Sequence, residues 1–293
     1  MDFLSQIING LGIGSIYALV ALGYSMVYGI VQLINFAHGD IIMVGAYVTY
    51  LVLVVGGAPL WVAVLASIAF CTIAGVLIER VAYRRLLNMG APRISLLITA
   101  IGVSIFLQNL SQLLFTSSGK SMPKMFPSDS LDLGSIQLSS VSLITIVTSV
   151  ALMVLLQVLV SKTKIGKAMR ATSEDAGAAK LMGINTNITV AFTFGIGSAL
   201  AAVGAVLYCG AYPLITPYMG GMLGLKAFVA AVLGGIGSIP GAMLGGYLIG
   251  VAESLTKAAG GSQITDAVVF GILIIVLLFK PAGLLGKNVR EKV

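Results

Sequence analysis

Most of the side chains in this 293-residue sequence that could do chemistry gather in one stretch. Ser161 to Asn187 carries Lys162, Lys164, Lys167, Arg170, Glu174, Asp175 and Lys180 around Ala176-Gly177-Ala178-Ala179, and closes on Gly183-Ile184-Asn185. Mixed charge around small side chains suits docking to a partner better than bond making. Catalytic sets are sparse elsewhere. A single histidine, His38, leaves no His-based zinc set and no His-x-x-x-His pair. A Ser-His-Asp site stays formally open, but no spacing selects it. The phosphate-binding pattern Gly-x4-Gly-Lys-Ser/Thr is missing, because Gly119-Lys120-Ser121 has Leu114 where the first glycine belongs. Any ATP chemistry therefore falls to another subunit, and no metal or cofactor is expected on this chain.

The elements that must position these residues are membrane spans. Hydrophobic residues make up 58% of the chain and charged residues 9%, with a mean hydropathy of +1.05; soluble domains carry about a quarter charged residues. The fold class is all-α and polytopic, a single bundle over 1–293 of about eight or nine hydrophobic helices. The N-terminus lacks the basic flank of a cleaved signal, so the first span is expected to be retained. Cys71 and Cys209 lie inside apolar runs and read as small buried hydrophobes.

Charge placement orients the bundle. Arg80 to Arg93, Lys162 to Lys180, and Lys280 to Lys292 hold all but Lys120, Lys124, Lys226 and Lys257 of the 17 basic residues. The positive-inside rule puts these three clusters in the cytoplasm. Nucleic acid is not the partner this charge implies. The loop 116–139 balances Lys120 and Lys124 with Asp129 and Asp132 and carries Pro123 and Pro127, so it is expected outside. Spans are predicted over 5–31, 39–56, 60–80, 94–115, 141–160, 189–210 and 266–280, with the N-terminus outside and the C-terminus inside. Asp40, Glu79, Glu253, Lys257 and Asp266 fall near span ends and are expected to be solvated. Asn9, Ser15, Tyr17, Tyr24, Ser25, Thr99, Ser104, Gln108 and Asn109 either line a solute path or bond helix to helix.

Between Tyr212 and Gly261 the pattern is irregular. The run Lys226 to Leu233 is too short to cross about 30 Å of hydrocarbon, and Gly234-Gly235-Ile236-Gly237-Ser238-Ile239-Pro240-Gly241 follows it. A broken or re-entrant hairpin near 226–258 is expected, or else two short tilted spans joined by a tight turn. The 36 glycines point to close helix packing. The string Gly-Ile-Gly-Ser recurs at Gly12, Gly195 and Gly235, which leaves an internal repeat open.

Asn35-Phe36-Ala37-His38-Gly39-Asp40 with Gly45-Ala46-Tyr47, and Arg170-Ala171-Thr172-Ser173-Glu174-Asp175 with Gly183-Ile184-Asn185, resemble the membrane permeases of bacterial branched-chain amino acid ABC importers. The resemblance covers nearly the whole chain and is closest to the shorter of the two paralogous permeases. It implies a multi-pass protein of the bacterial inner membrane with the ABC importer permease fold. It also implies a complex with a homologous second permease, two cytoplasmic ATPases that use ATP and Mg, and an external solute-binding protein. Leucine, isoleucine and valine are the implied cargo, with urea, short amides or other amino acids as the rival within the class. A secondary transporter or channel is the rival outside it. Such importers dock the ATPase through Glu-Ala-Ala-x-x-x-Gly; here Gly177 to Gly183 occupies those positions, with Gly177 in place of Glu.

Segment 161–187 is accordingly read as the coupling loop, with Arg170, Glu174, Asp175, Ala178, Ala179, Gly183 and Ile184 as its coupling residues. Glu174 and Asp175 lie at the N-terminal end of a short helix, where the helix dipole favours acids, and Gly183 suits the stop. Asn35, Phe36, His38, Gly39 and Asp40 are expected near the inner mouth. There they either line it or end one helix and cap the next, with Asp40 at the new N-terminus.

Overall fold

The structure, a computed structural model, describes residues 3–126, 130–133 and 136–286. Expectations resting on Pro127, Asp129, Lys287, Arg290 and Lys292 lie outside the described residues. Apolar runs become helices because lipid offers backbone N–H and C=O groups no partner, so each segment must bond within itself. In chain order these are α1 (Phe3–Val31), α2 (Ala37–Tyr50), α3 (Leu60–Ile78), α4 (Arg84–Asn88), α5 (Arg93–Phe115), α6 (Ser140–Lys162), α7 (Lys164–Glu174), α8 (Ala176–Leu181), α9 (Thr186–Ala211), α10 (Met219–Gly234), α11 (Ile239–Ala258) and α12 (Thr265–Phe279). A π-helical turn over Leu51–Val55 extends α2, and another over Glu79–Tyr83 joins α3 to α4. Seven of the resulting helices are long and apolar enough to cross a membrane, and α10 and α11 add a shorter pair.

The bundle is built around α1. Along with α9 it is 72% buried, whereas α5 and α6 are 17% buried and the α12 segment 11%. Outer helices thus turn apolar faces to lipid or to a neighbouring subunit. The inner contact needs small residues, because dispersion between close backbones must replace the hydrophobic drive that lipid withholds. A Cβ on Gly10 would sit 2.7 Å from the Val251 Cα, and one on Gly14 would sit 2.9 Å from the Tyr247 Cα. These approaches run α11 antiparallel to α1 down to Gly29, which faces Gly237.

The irregular region is a helix pair, α10 and α11, joined at Gly235 to Ser238. Helix α10 begins at Met219, earlier than the expected Lys226. It stays short, 16 residues, or roughly 24 Å, while α11 follows α1 over most of its span. Gly235 and Gly237 take φ of +106° and +89°, which side-chain-bearing residues avoid. The C-terminal segment closes the turn: Leu284 N–H donates to the Leu233 carbonyl at 2.9 Å and Leu285 N–H to Gly234 at 2.8 Å. Those carbonyls belong to the end of α10, where no intrahelical partner remains.

The all-α expectation holds for the bundle, and the connections add short strand pairs. Strands β2 (Ser130–Leu133) and β3 (Ile136–Ser139) pair antiparallel within the loop 116–139, and β1 (Lys120–Ser121) pairs with β4 (Leu214–Ile215), tying that loop to the start of α10.

Candidate functional site

Segment 161–187 folds as two short helices rather than the single one expected. The Thr163 hydroxyl accepts from Gly166 N–H at 3.0 Å and starts α7. Asp175 breaks the run with an extended backbone, and its carboxylate accepts from Gly177 and Ala178 N–H at 2.7 and 2.9 Å, starting α8. Asn185 does the same for α9 through Ile188 N–H at 3.2 Å. Gly183, at φ +84°, ends α8, with Ile184 N–H bonded back to the Ala179 carbonyl at 3.0 Å. Three caps and one left-handed glycine make a jointed but fixed bracket between α6 and α9.

The bracket has an inner and an outer face. Gly166, Met169, Thr172 and Ala179 are buried, so Ala179, expected among the coupling residues, lies on the inner face. The Arg170 guanidinium donates to the Val160 carbonyl at the end of α6, which makes it a strut within the chain. Glu174, Asp175, Ala178 and Gly183 are exposed and Ile184 is half-buried. The sequence reading passed over Leu181 and Met182, 90% and 83% exposed at the tip of α8. The apolar pair directly before Gly183, in a segment otherwise charged, was the available signal.

In the Asn35 to Asp40 segment Asn35, His38 and Asp40 are buried within the bundle. Gln32 takes φ +53° and its N–H bonds the Tyr28 carbonyl, ending α1 and turning the chain back into the bundle. His38 consequently packs edge-on to Tyr24, and against Gly23 in the last third of α1 and Gly197 midway along α9. Asn35 accepts from the Tyr83 hydroxyl at 2.8 Å. Gly39 meets Gly220 and Gly224, so α2 and α10 both begin inside the bundle with their first turns in contact. Asp40 is not a cap: no side chain caps α2, and the buried Asp40 carboxylate accepts from Ser104 at 2.5 Å and Gln108 at 3.0 Å on α5.

Two further acids expected in solvent are also buried. Glu79 pairs with Arg84 at 2.5 Å across the π-helical turn. Glu253 sits among Lys226, Lys257 and Tyr17, linking α11 to α10 and α1, and Lys226 also reaches Asp266 on α12 at 2.8 Å. Lys226, read from sequence only as the start of a short apolar run, pairs with two acids, Glu253 on α11 and Asp266 on α12. Among the described residues no group of three or more His, Cys, Asp or Glu side chains could hold a metal.

The family described as the permease component of the branched-chain amino acid transport system matches residues 6–278. The chain is 46% identical over 303 residues to the high-affinity branched-chain amino acid transport system permease protein BraD of Pseudomonas aeruginosa, covering 99% of this chain and 98% of that protein. It is 45% identical over 305 residues to the corresponding protein LivH of Escherichia coli K12, with the same coverage. Among solved structures, PsaBC from Streptococcus pneumoniae in complex with Fab shares the fold, with a TM-score of 0.50 at 16% identity over 96% of this chain and 93% of that one.

Proposed function

The chain belongs to the branched-chain amino acid transport permeases, and on that premise we propose that it is the membrane-spanning subunit of an ATP-driven importer for leucine, isoleucine and valine. The observation that carries the reading is similarity to high-affinity permeases along essentially the whole length of both chains. Its companions are a homologous second permease, two ATPases on the cytoplasmic side and a solute-binding protein on the other, in a bacterial inner membrane. The basic clusters face the cytoplasm, which sets 116–139 and the N-terminus outside and the C-terminus inside.

Coupling then has a mechanical form. The α7–α8 bracket presents Leu181, Met182 and the Glu174–Asp175 acids to the ATPase, while Met169 and Ala179 seat it on the bundle. Because its joints are capped, a displacement at α8 passes to α6 and α9 as a rigid-body movement. The same movement opens the small-residue contacts at Gly39 and Gly220, where two helices begin inside the bundle, and so alternates access between the two faces. ATP and Mg act on the partner ATPases, and this chain supplies the path.

The test is uptake of radiolabelled leucine into liposomes holding all components, each omitted in turn. The reading requires ATP and every component. Uptake of urea or amides with no leucine uptake would replace the cargo, and uptake by this chain alone would replace the class.

A further inference from the structure

The charged cluster that joins α1, α10, α11 and α12 has an order that packing alone does not require. At its deep end Lys226 and Glu253 pair at 3.2 Å, with side chains only 11% and 4% exposed. Each deep charge holds a second partner that is open to the surroundings: Asp266 on Lys226 at 2.8 Å, 46% exposed, and Lys257 on Glu253 at 2.7 Å, 41% exposed. The Tyr17 hydroxyl donates to Glu253 at 2.7 Å, and its ring lies 5.9 Å from the Lys226 ammonium. Tyr208 and Tyr212, whose rings are 5.0 Å apart at the C-terminal end of α9, lie near both deep charges.

The geometry points to Lys226 and Glu253 as a binding site for an α-amino acid zwitterion, with Asp266 and Lys257 as exchangeable stand-ins for its two charges. The inference rests on the importer reading and locates its cargo. The α-carboxylate takes the place of Asp266 on Lys226 while the α-ammonium takes that of Lys257 on Glu253. A zwitterion carries both charges on neighbouring atoms and can satisfy both ends at once. The exchange buries no net charge, which is the condition for burying ions without a large desolvation cost. The outer partners leave readily because exposed ion pairs contribute little. The tyrosine rings supply the apolar wall that a branched side chain needs and a charged one does not.

A diazirine analogue of leucine, photolysed with the complete importer in liposomes, tests the site. Labelling is expected on peptides containing Tyr208 or Tyr212, competed by leucine but not by isocaproate or isopentylamine, each of which lacks one charge. Lys226→Met is expected to lower this labelling by at least about tenfold, as loss of one member of a buried charge pair does, and Lys226→Arg to restore most of it. Where Lys226→Met fails to assemble, Asp266→Asn decides. Removing the competitor should raise labelling at low probe concentration, whereas a purely structural latch would leave the concentration dependence unchanged. Labelling confined to other peptides, competition by either one-charge compound, or an unchanged concentration dependence in Asp266→Asn overturns the proposal. Leucine uptake by the wild-type liposomes is measured alongside. If uptake is present and labelling is wrong, only the site falls; if uptake is absent, the importer reading falls first.

Discussion

A carboxylate buried within a membrane bundle must be answered locally, since a charge there is costly. Asp40 is answered by the Ser104 hydroxyl, the Gln108 amide and the start of α2. Asp40→Leu takes the acceptor from the Ser104 hydroxyl and leaves the Gln108 amide only the Ser104 oxygen at 3.3 Å, a loss of about 1–3 kcal/mol. The importer carrying it should lose its size-exclusion peak at a lower temperature than wild type, and Asp40→Asn should fall between them. Equal melting of all three would show that the contact to α5 carries no weight. Neither this role nor those of Glu79 and Glu253 was legible in the sequence. An acid near the end of an apolar run reads as solvated, and the partners that change the reading, such as Lys226 for Glu253, belong to other helices. Gln32 explains the depth of His38: one left-handed residue sends the chain back inward, and glutamine is no signature for that turn.

At the scale of elements, the spans were legible because their cause is local. The 141–160 expectation meets a helix over Ser140–Lys162, and 94–115 meets Arg93–Phe115. Contact between helices was legible only as a glycine count. Gly14 and Gly271 are both helical glycines, yet a Cβ at Gly14 strikes the Tyr247 backbone at 2.9 Å and one at Gly271 meets nothing within 4 Å. Gly14→Ala should therefore destabilise by about 1–3 kcal/mol, as overpacking does, and reduce the folded protein recovered from membranes, with Gly271→Ala recovered as wild type. Similar recovery of the two would contradict the α1–α11 packing. In the bracket, removing the Asp175 cap by Asp175→Ala costs about 0.5–2 kcal/mol of local helix stability. Together with Leu181→Asp it should leave the permease in the membrane but lower co-purification of the ATPases by at least about tenfold, the effect of 1.4 kcal/mol or more. Undiminished co-purification would place the docking surface elsewhere. The charge run marked this region from sequence, but which residues face outward depends on where Asp175 breaks the helix.

For the whole molecule, orientation and coupling are one claim, because the bracket can meet an ATPase only from the cytoplasm. Cys71 and Cys209 are buried, so cysteines introduced one at a time report on the two faces without interference. In intact cells a membrane-impermeant maleimide should label Lys120→Cys and spare Met182→Cys, which reacts only after the membrane is opened; the reverse pattern would invert the topology. The most direct measurement of the central claim is leucine uptake into liposomes containing this chain, its companion permease, both ATPases and the binding protein, with each omitted in turn. The account predicts uptake that requires ATP and disappears with any omission. Uptake that persists without the ATPases, driven by a gradient alone, would contradict it.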